Sequence, residues 1–371
     1  MLNSIERKKG KVCILDQSRL PHEIRSIECR GWKDVARCIR EMKIRGAPAI
    51  GIAAAMGVAL GAQEAGASSV TDLPDALGPV FEGLLATRPT AVNIKWAVER
   101  MNSRLARIIT EGTVSGGSGV REAIKALWRE ALLIHEEDVR INRTIGQWGA
   151  QFIKDGDVIL THCNAGGLAT GGYGTATAPI FTAAAQGKKV HVIVDETRPF
   201  LQGARLTALE MKEAGIPMTL ITDNSAGVLL ARGEIDLAIV GTDRTARNGD
   251  VANKIGTYSV AVLCKENRVP FYVAAPLSSI DFSMPSGDSI PIEERDPEEV
   301  ASFAGKRVAP RGINVRNIAF DVTPARYVTA IITELGAFRP GRIKGLAGRG
   351  KKFKPGSAGY FMPGRAKKTK K

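Results

Sequence analysis

From residue 156 onward the chain repeats one pattern: a short unbroken apolar run, a polar or glycine-rich stretch, then a segment of helix length. The runs predict strands at 157–162, 190–195, 218–222, 237–241 and 271–275, and the segments between them predict helices at 174–186, 203–214, 226–233 and 254–265. Apolar runs without polar alternation fit strands covered on both faces, and strand alternating with helix predicts a parallel, doubly wound sheet. Residues 313–320, 321–324 and 327–335 read as a last strand, turn and helix. In sheets of this kind ligands bind beyond the carboxyl ends of the strands.

The first half reads differently. Residues 29–60 are helix-rich, with Val35, Ile39 and Met42 at helical spacing. Arg45-Gly46-Ala47-Pro48 breaks that pattern before a small-residue helix at 49–62. Thr87-Arg88-Pro89-Thr90 precedes a helix at 91–105, and a long helix follows at 120–145. A short sheet around Val12 to Leu15 is compatible with the pattern. The expected fold class is therefore α/β. A helix-rich N-terminal domain (1–146) precedes a Rossmann-like doubly wound parallel-sheet domain (147–344), and residues 345–371 form a basic tail expected to be disordered.

The net charge of +14 belongs mainly to that tail. Twelve Lys or Arg and no acid lie between Arg339 and Lys371, which leaves the body close to neutral. A basic run of this kind can contact nucleic acid, but a solubilising extension is the favoured reading. The weakly polar run 47–62 is short and glycine-rich for a membrane span, and the polar, basic start lacks the apolar core of a secretory signal. Five cysteines without framework spacing fit a reducing compartment, so a cytoplasmic protein is expected. His162 beside Cys163 lacks the CxxC or HxxxH partners of a zinc site, and no metal is expected.

Three apolar runs end in residues that could do chemistry. Thr161-His162-Cys163-Asn164 leads into a glycine-rich loop (Gly166, Gly167, Gly171, Gly172, Gly174) whose amides could approach a ligand. The stretch Asp195-Glu196-Thr197-Arg198-Pro199-Phe200-Leu201-Gln202-Gly203-Ala204-Arg205 is dense in charge directly after a strand, which is costly unless it is used. Asp243 closes the third run, where it is either a functional carboxylate or a structural partner of Arg244 or Arg247. Cys163 is either reactive or a buried inert thiol. The polar groups of Asn248-Gly249-Asp250-Val251-Ala252-Asn253-Lys254 either orient sugar hydroxyls or form an Asx-capped turn, which Asn-Gly invites. Arg45 and Arg88 each precede a helix start, a setting suited to a phosphate clamp.

Several long motifs occur in the order found in methylthioribose-1-phosphate isomerases. They are Ile44-Arg45-Gly46-Ala47-Pro48-Ala49-Ile50-Gly51, Thr87-Arg88-Pro89-Thr90-Ala91-Val92-Asn93, the 161–170 loop, 195–206, 248–258, Ile290-Pro291-Ile292-Glu293-Glu294-Arg295 and Phe320-Asp321-Val322-Thr323-Pro324. The chain resembles that family from about residue 12 to 336. The wider group includes the regulatory subunits of translation initiation factor 2B and ribose-1,5-bisphosphate isomerases. The resemblance implies that Cys163 is the catalytic cysteine and Asp243 the proton-donor aspartate. It implies substrate-binding roles for Arg45, Gly46, Ala47, Arg88, Gln202, Asn253 and Lys254. It also implies a homodimer. Thr242, Thr245, Arg247 and Gly167 depart from the family pattern.

The implied reaction turns 5-methylthioribose 1-phosphate into 5-methylthioribulose 1-phosphate, a step of methionine salvage. The ester on the anomeric carbon blocks the free-aldehyde route, so an acid must open the ring. That role falls to Asp243, whose pKa burial would raise. Cys163 as thiolate then takes the C2 proton, with a direct hydride shift as the rival route. Neither route calls for a metal or nicotinamide, so no cofactor is expected. Related readings are an isomerase of 5-deoxyribose 1-phosphate or ribose 1,5-bisphosphate, or a non-catalytic regulatory subunit.

Overall fold

The computed structural model describes residues 2–111 and 119–348 of the 371. Most of the basic tail expected from residue 345 lies outside them. Two compact units emerge, one formed by Leu2–Ile141 with Gly167–Gly174, the other by Asn142–Gly166 with the chain from Thr175 onward. The divide falls at 141/142 rather than 146/147, and the glycine-rich loop after the first sheet strand groups with the helical unit.

The helical unit begins with an antiparallel sheet of β1 (Ile5–Lys8), β2 (Lys11–Leu15) and β3 (Ser26–Cys29). Helices α1 (Trp32–Arg40), α2 (Ala47–Glu64), α3 (Leu73–Leu85) and α4 (Val92–Thr110) follow, and α5 (Gly119–Gly149) carries the chain across the divide. Sixteen residues of α2, Ala47 to Ala62, are buried. By length and composition α2 could cross a membrane, yet 89% of it is covered within the protein. Small residues allow its close packing. A Cβ on Gly57 would meet Leu84 and Val35, and one on Gly61 would meet Val80. Ile50, Ile52, Met56 and Leu60 are fully buried here, each worth about 1.5–3 kcal/mol of transfer free energy.

The second unit is built on a seven-stranded sheet. Its strands are β4 (Val158–Thr161), β5 (His191–Asp195), β6 (Met218–Ile221), β7 (Leu237–Val240), β10 (Phe271–Ala274), β15 (Ala330–Thr333) and β16 (Gly336–Phe338). The intervening short strands are β8 (Arg244–Ala246), β9 (Val251–Lys254), β11 (Ile280–Asp281), β12 (Ser302–Phe303), β13 (Lys306–Arg307) and β14 (Phe320–Thr323). Sheet order is β6-β5-β4-β7-β10-β15-β16, parallel except for β16. Order therefore reverses between β4 and β7, the crevice where a doubly wound sheet binds ligands. A smaller sheet, β11-β8-β9-β14, lies in the same unit.

Alternation along the strands assigns the faces. Phe271, Val273, Ala238, Val240 and Ile331 share a core with Leu230 of the helix Ser225–Ala231 and with Val260 and Cys264 of the helix Thr257–Glu266. Tyr272 points the other way and stacks on Phe152, with ring centroids 4.9 Å apart. Gly149, at the end of α5, meets Pro179 of α6 (Thr177–Ala185) and Ile332 there.

Three expectations fail: within 327–335 the residues Ala330–Thr333 form strand β15 and not a helix, 321–323 belong to strand β14 and not to a turn, and 313–319 lie outside the named strands. Ile331, Ile332 and Thr333 are β-branched and fully buried, a composition that favours strand where periodicity is silent. The body also runs on through a 3-10 helix, Pro340–Leu346, whose Ile343 and Leu346 are buried in the core of this unit.

Candidate active site

Cys163, Gln202 and Asp243 follow the three adjacent strands β4, β5 and β7, at their carboxyl ends. The loops after β4 and β7 touch closely enough that a Cβ on Gly241 would lie 2.6 Å from the Ala165 Cβ. Glycine is required there. Asp243 is half-buried, and its N–H donates to the Ala252 carbonyl of β9 at 3.0 Å. That bond places it one residue from Asn253 and two from Lys254. Asn253 and Lys254 are both buried. Asn253 Nδ2 donates to Thr257 Oγ1 (3.0 Å), and the Lys254 ammonium lies 4.7 Å from the centroid of Phe320. The Thr242 hydroxyl pairs with Thr245 (3.1 Å) and the Ala252 carbonyl (3.2 Å).

Cys163 is half-buried and has φ +64°, a left-handed conformation uncommon for a residue with a side chain. Such strain persists when neighbours over-determine it. Here the charged stretch after β5 does so. The Cys163 N–H donates to Thr197 Oγ1 (2.8 Å), and the Thr207 hydroxyl donates to the Cys163 carbonyl (2.7 Å). Thr207 also receives Asn164 Nδ2 (3.1 Å), which donates to the buried Glu210 carboxylate at 2.6 Å. Thr207 closes a π-helical turn, Gly203–Thr207, a geometry frequent at functional sites. The turn packs so tightly that a Cβ on Gly203 would lie 1.7 Å from the Asp195 carbonyl oxygen. Gln202 precedes it, is 2% exposed, and its Oε1 has no hydrogen-bond partner among the described residues. A buried acceptor left open suits a ligand hydroxyl.

His162 and Asp195 lie beneath this surface. The ring Nδ1 is 2.9 Å from Asp195 Oδ2, and Nε2–H donates to the Ile255 carbonyl at 2.8 Å. Burial opposes charging the ring, but the Asp195 bond and charge outweigh it and raise the His162 pKa. Burial likewise raises Asp195, against the pull of His162. The pair thus retains a proton between its members. His162, Asp195 and Asp223 bring donor atoms within 4.8 Å of one another. Both ring nitrogens are already hydrogen-bonded, and Asp223 accepts the Thr197 and Arg198 N–H groups (2.7 Å each). The three side chains thus belong to one hydrogen-bonded network.

The remaining predicted residues lie in the helical unit. Arg45 is buried, Gly46 has φ +95°, and a Cβ on Gly46 would collide with the Ala169 backbone at 2.4 Å. Ala47 is the first residue of α2, whose start carries no side-chain cap, and the same holds for α4 after Arg88. Gly51 approaches the Asn93 carbonyl closely, so the first turns of α2 and α4 adjoin and bring Arg45 and Arg88 to one end of the pair. The glycine loop does not offer its amides freely. Gly171 N–H donates to Asp138 Oδ2 (2.7 Å), and those of Gly172 and Gly174 donate to Thr170 Oγ1 (3.1 and 3.3 Å). These three amides are therefore engaged within the loop's own surroundings.

Residues 43–340 match the initiation factor 2 subunit family. A methylthioribose-1-phosphate isomerase of Syntrophotalea carbinolica is 55% identical, over 93% of this chain and 98% of its own. One from Chloroflexus aurantiacus is 53% identical, over 93% and 97%. A solved 5-methylthioribose 1-phosphate isomerase from Pyrococcus horikoshii OT3 has TM-score 0.82 at 42% identity, over 93% and 94% of the two chains. A solved protein described as translation initiation factor eIF-2B, subunit delta, from A. fulgidus has TM-score 0.80 at 42% identity, over 92% and 97%.

Proposed function

The chain belongs to the initiation factor 2 subunit family and, within it, to the methylthioribose-1-phosphate isomerases, and we propose that Cys163 and Asp243 carry its reaction. That reaction converts 5-methylthioribose 1-phosphate into 5-methylthioribulose 1-phosphate, consistent with methionine salvage. The observation that carries the assignment of the pair is local. Cys163, just after β4, is held in a left-handed conformation by Thr197 and Thr207, and Asp243 follows the neighbouring strand β7, where the sheet order reverses.

Asp243, protonated, gives its proton to the furanose ring oxygen as the bond from that oxygen to C1 breaks. The Cys163 thiolate removes the C2 proton, and the electron pair forms a C1=C2 double bond in an enol phosphate. Return of a proton to C1 and loss of the C2 hydroxyl proton leave the ketone at C2. Gln202, with its open acceptor, receives a sugar hydroxyl, and Asn253 and Lys254 hold further oxygens. Arg45 and Arg88, with Gly46 and Ala47, bind the phosphate, as the resemblance of their motifs implies. Holding the substrate still supplies much of the rate.

Incubating the protein with 5-methylthioribose 1-phosphate and no added cofactor should yield the ketose, followed by carbon NMR at C2. Among 5-methylthioribose 1-phosphate, 5-deoxyribose 1-phosphate and ribose 1,5-bisphosphate, the first should give the highest kcat/KM. A second reading, a regulatory subunit without turnover, is favoured by the A. fulgidus neighbour's description. Absence of turnover on all three sugars would support it. We also propose a homodimer in the cytoplasm, which light scattering on the purified protein would test through a mass twice that of the chain.

A further inference from the structure

We propose that His162 is a positioning residue of this site, whose ring ties the Cys163 peptide to the Asn253–Lys254 segment through Asp195 and the Ile255 carbonyl. The inference rests on the isomerase reading and names a residue that the reaction scheme does not use.

His162 is 2% exposed, and Asp195 is fully buried, so neither reaches a substrate. The ring spans two elements. One nitrogen meets Asp195 at the end of β5, and the other meets Ile255, the residue after Lys254. Gly256 makes room for it, since a Cβ there would lie 2.7 Å from the ring, and its φ of +103° suits glycine. The far side of the same turn is fixed by Asp321, which accepts the Gly256 N–H (2.7 Å) and the Tyr258 N–H (3.1 Å).

Asp195 carries the link onward. Its carbonyl accepts the Thr197 hydroxyl (3.1 Å), and Thr197 Oγ1 accepts the Cys163 N–H (2.8 Å). A path of hydrogen bonds, carried across Asp195 by its own covalent frame from carboxylate to carbonyl, thus runs from Ile255 through His162, Asp195 and Thr197 to the nucleophile's own peptide. The Ile255 carbonyl can only accept, so Nε2 carries a hydrogen. The 2.9 Å contact at Nδ1 then requires one further proton between the ring and Asp195. A core histidine that merely filled space would not need both contacts.

Two substitutions separate these roles. H162F keeps most of the ring volume and removes both bonds. D195N keeps the link, because the Asn amide can donate to Nδ1 of a neutral ring. H162F should lower kcat by about 100-fold while changing KM less than about threefold, the loss expected of a misplaced but bound substrate. D195N should retain kcat within about tenfold. Alkylation of Cys163 by iodoacetamide, read by peptide mass, should change in rate in H162F and stay near wild type in D195N. Should H162F fail to fold, H162Q, which can still donate to Ile255, should give a kcat between those of wild type and a Cys163 variant. Wild-type kcat in H162F or H162Q, or equal losses in H162F and D195N, would overturn the proposal. Altered alkylation in H162F with no turnover by wild type would instead count against the isomerase reading and leave the link standing.

Discussion

At the scale of single residues, the account turns on how Cys163 and Asp243 are held. General acid–base groups contribute about 10²–10⁴-fold each, so D243N should lose at least about 100-fold in kcat with its melting temperature little changed. Near-wild-type turnover would remove Asp243 from the mechanism. R88A should raise KM by about 10- to 100-fold with kcat nearly kept, because a phosphate contact made equally in ground and transition states is lost. An unchanged KM would argue against the clamp. Cys163 and Asp243 could be singled out in the sequence because both directly follow apolar strand runs. The left-handed backbone of Cys163 could not, since nothing in a cysteine's identity announces it. The sequence does not reveal the role of His162 for a similar reason. Its partner Asp195 is 33 residues away, and only the pairing of β4 with β5 brings them together.

At the scale of elements, the strands of the main sheet were legible where a run was apolar throughout and bounded by polar residues. The run at 327–335 was not legible because a short buried segment such as Ala330–Thr333 carries no period. Helix α3 escaped notice because Pro74, Gly78, Pro79 and Gly83 interrupt its pattern. The π-turn at Gly203 was likewise invisible, yet it delivers Thr207 to the Cys163 carbonyl. G203A would force a methyl group to within 1.7 Å of the Asp195 carbonyl oxygen. The turn must then shift, at a cost of about 1–3 kcal/mol or more, and kcat should fall as Thr207 moves. Thermal melting together with turnover checks this. Unchanged values for both would mean that the turn does not support Cys163.

At the scale of the whole molecule, charge and pH enter. Glu334, at the β15–β16 turn, is buried, and burial pushes its carboxyl up to about 7 despite the Leu277 N–H that it accepts. Its folded pKa lies above its unfolded value, so the fold binds the extra proton. The stability this gives is fully present below about pH 4.5 and lost as pH rises through about 7, on the order of 3 kcal/mol. E334Q should flatten that decline in chemical denaturation of this unit, and an equal pH slope in both proteins would contradict it. The two-unit division itself was only partly readable. The change from helical to alternating pattern marks it, but the return of residues 167–174 to the helical unit depends on contacts such as Gly46 with Ala169, which join distant parts of the chain.

The most direct test follows 5-methylthioribose 1-phosphate by NMR with wild-type protein and with C163S, side by side and without cofactor. The account predicts ketose accumulation with wild type and none with C163S, although C163S still binds the sugar phosphate. Ketose formed at the same rate by both would contradict it.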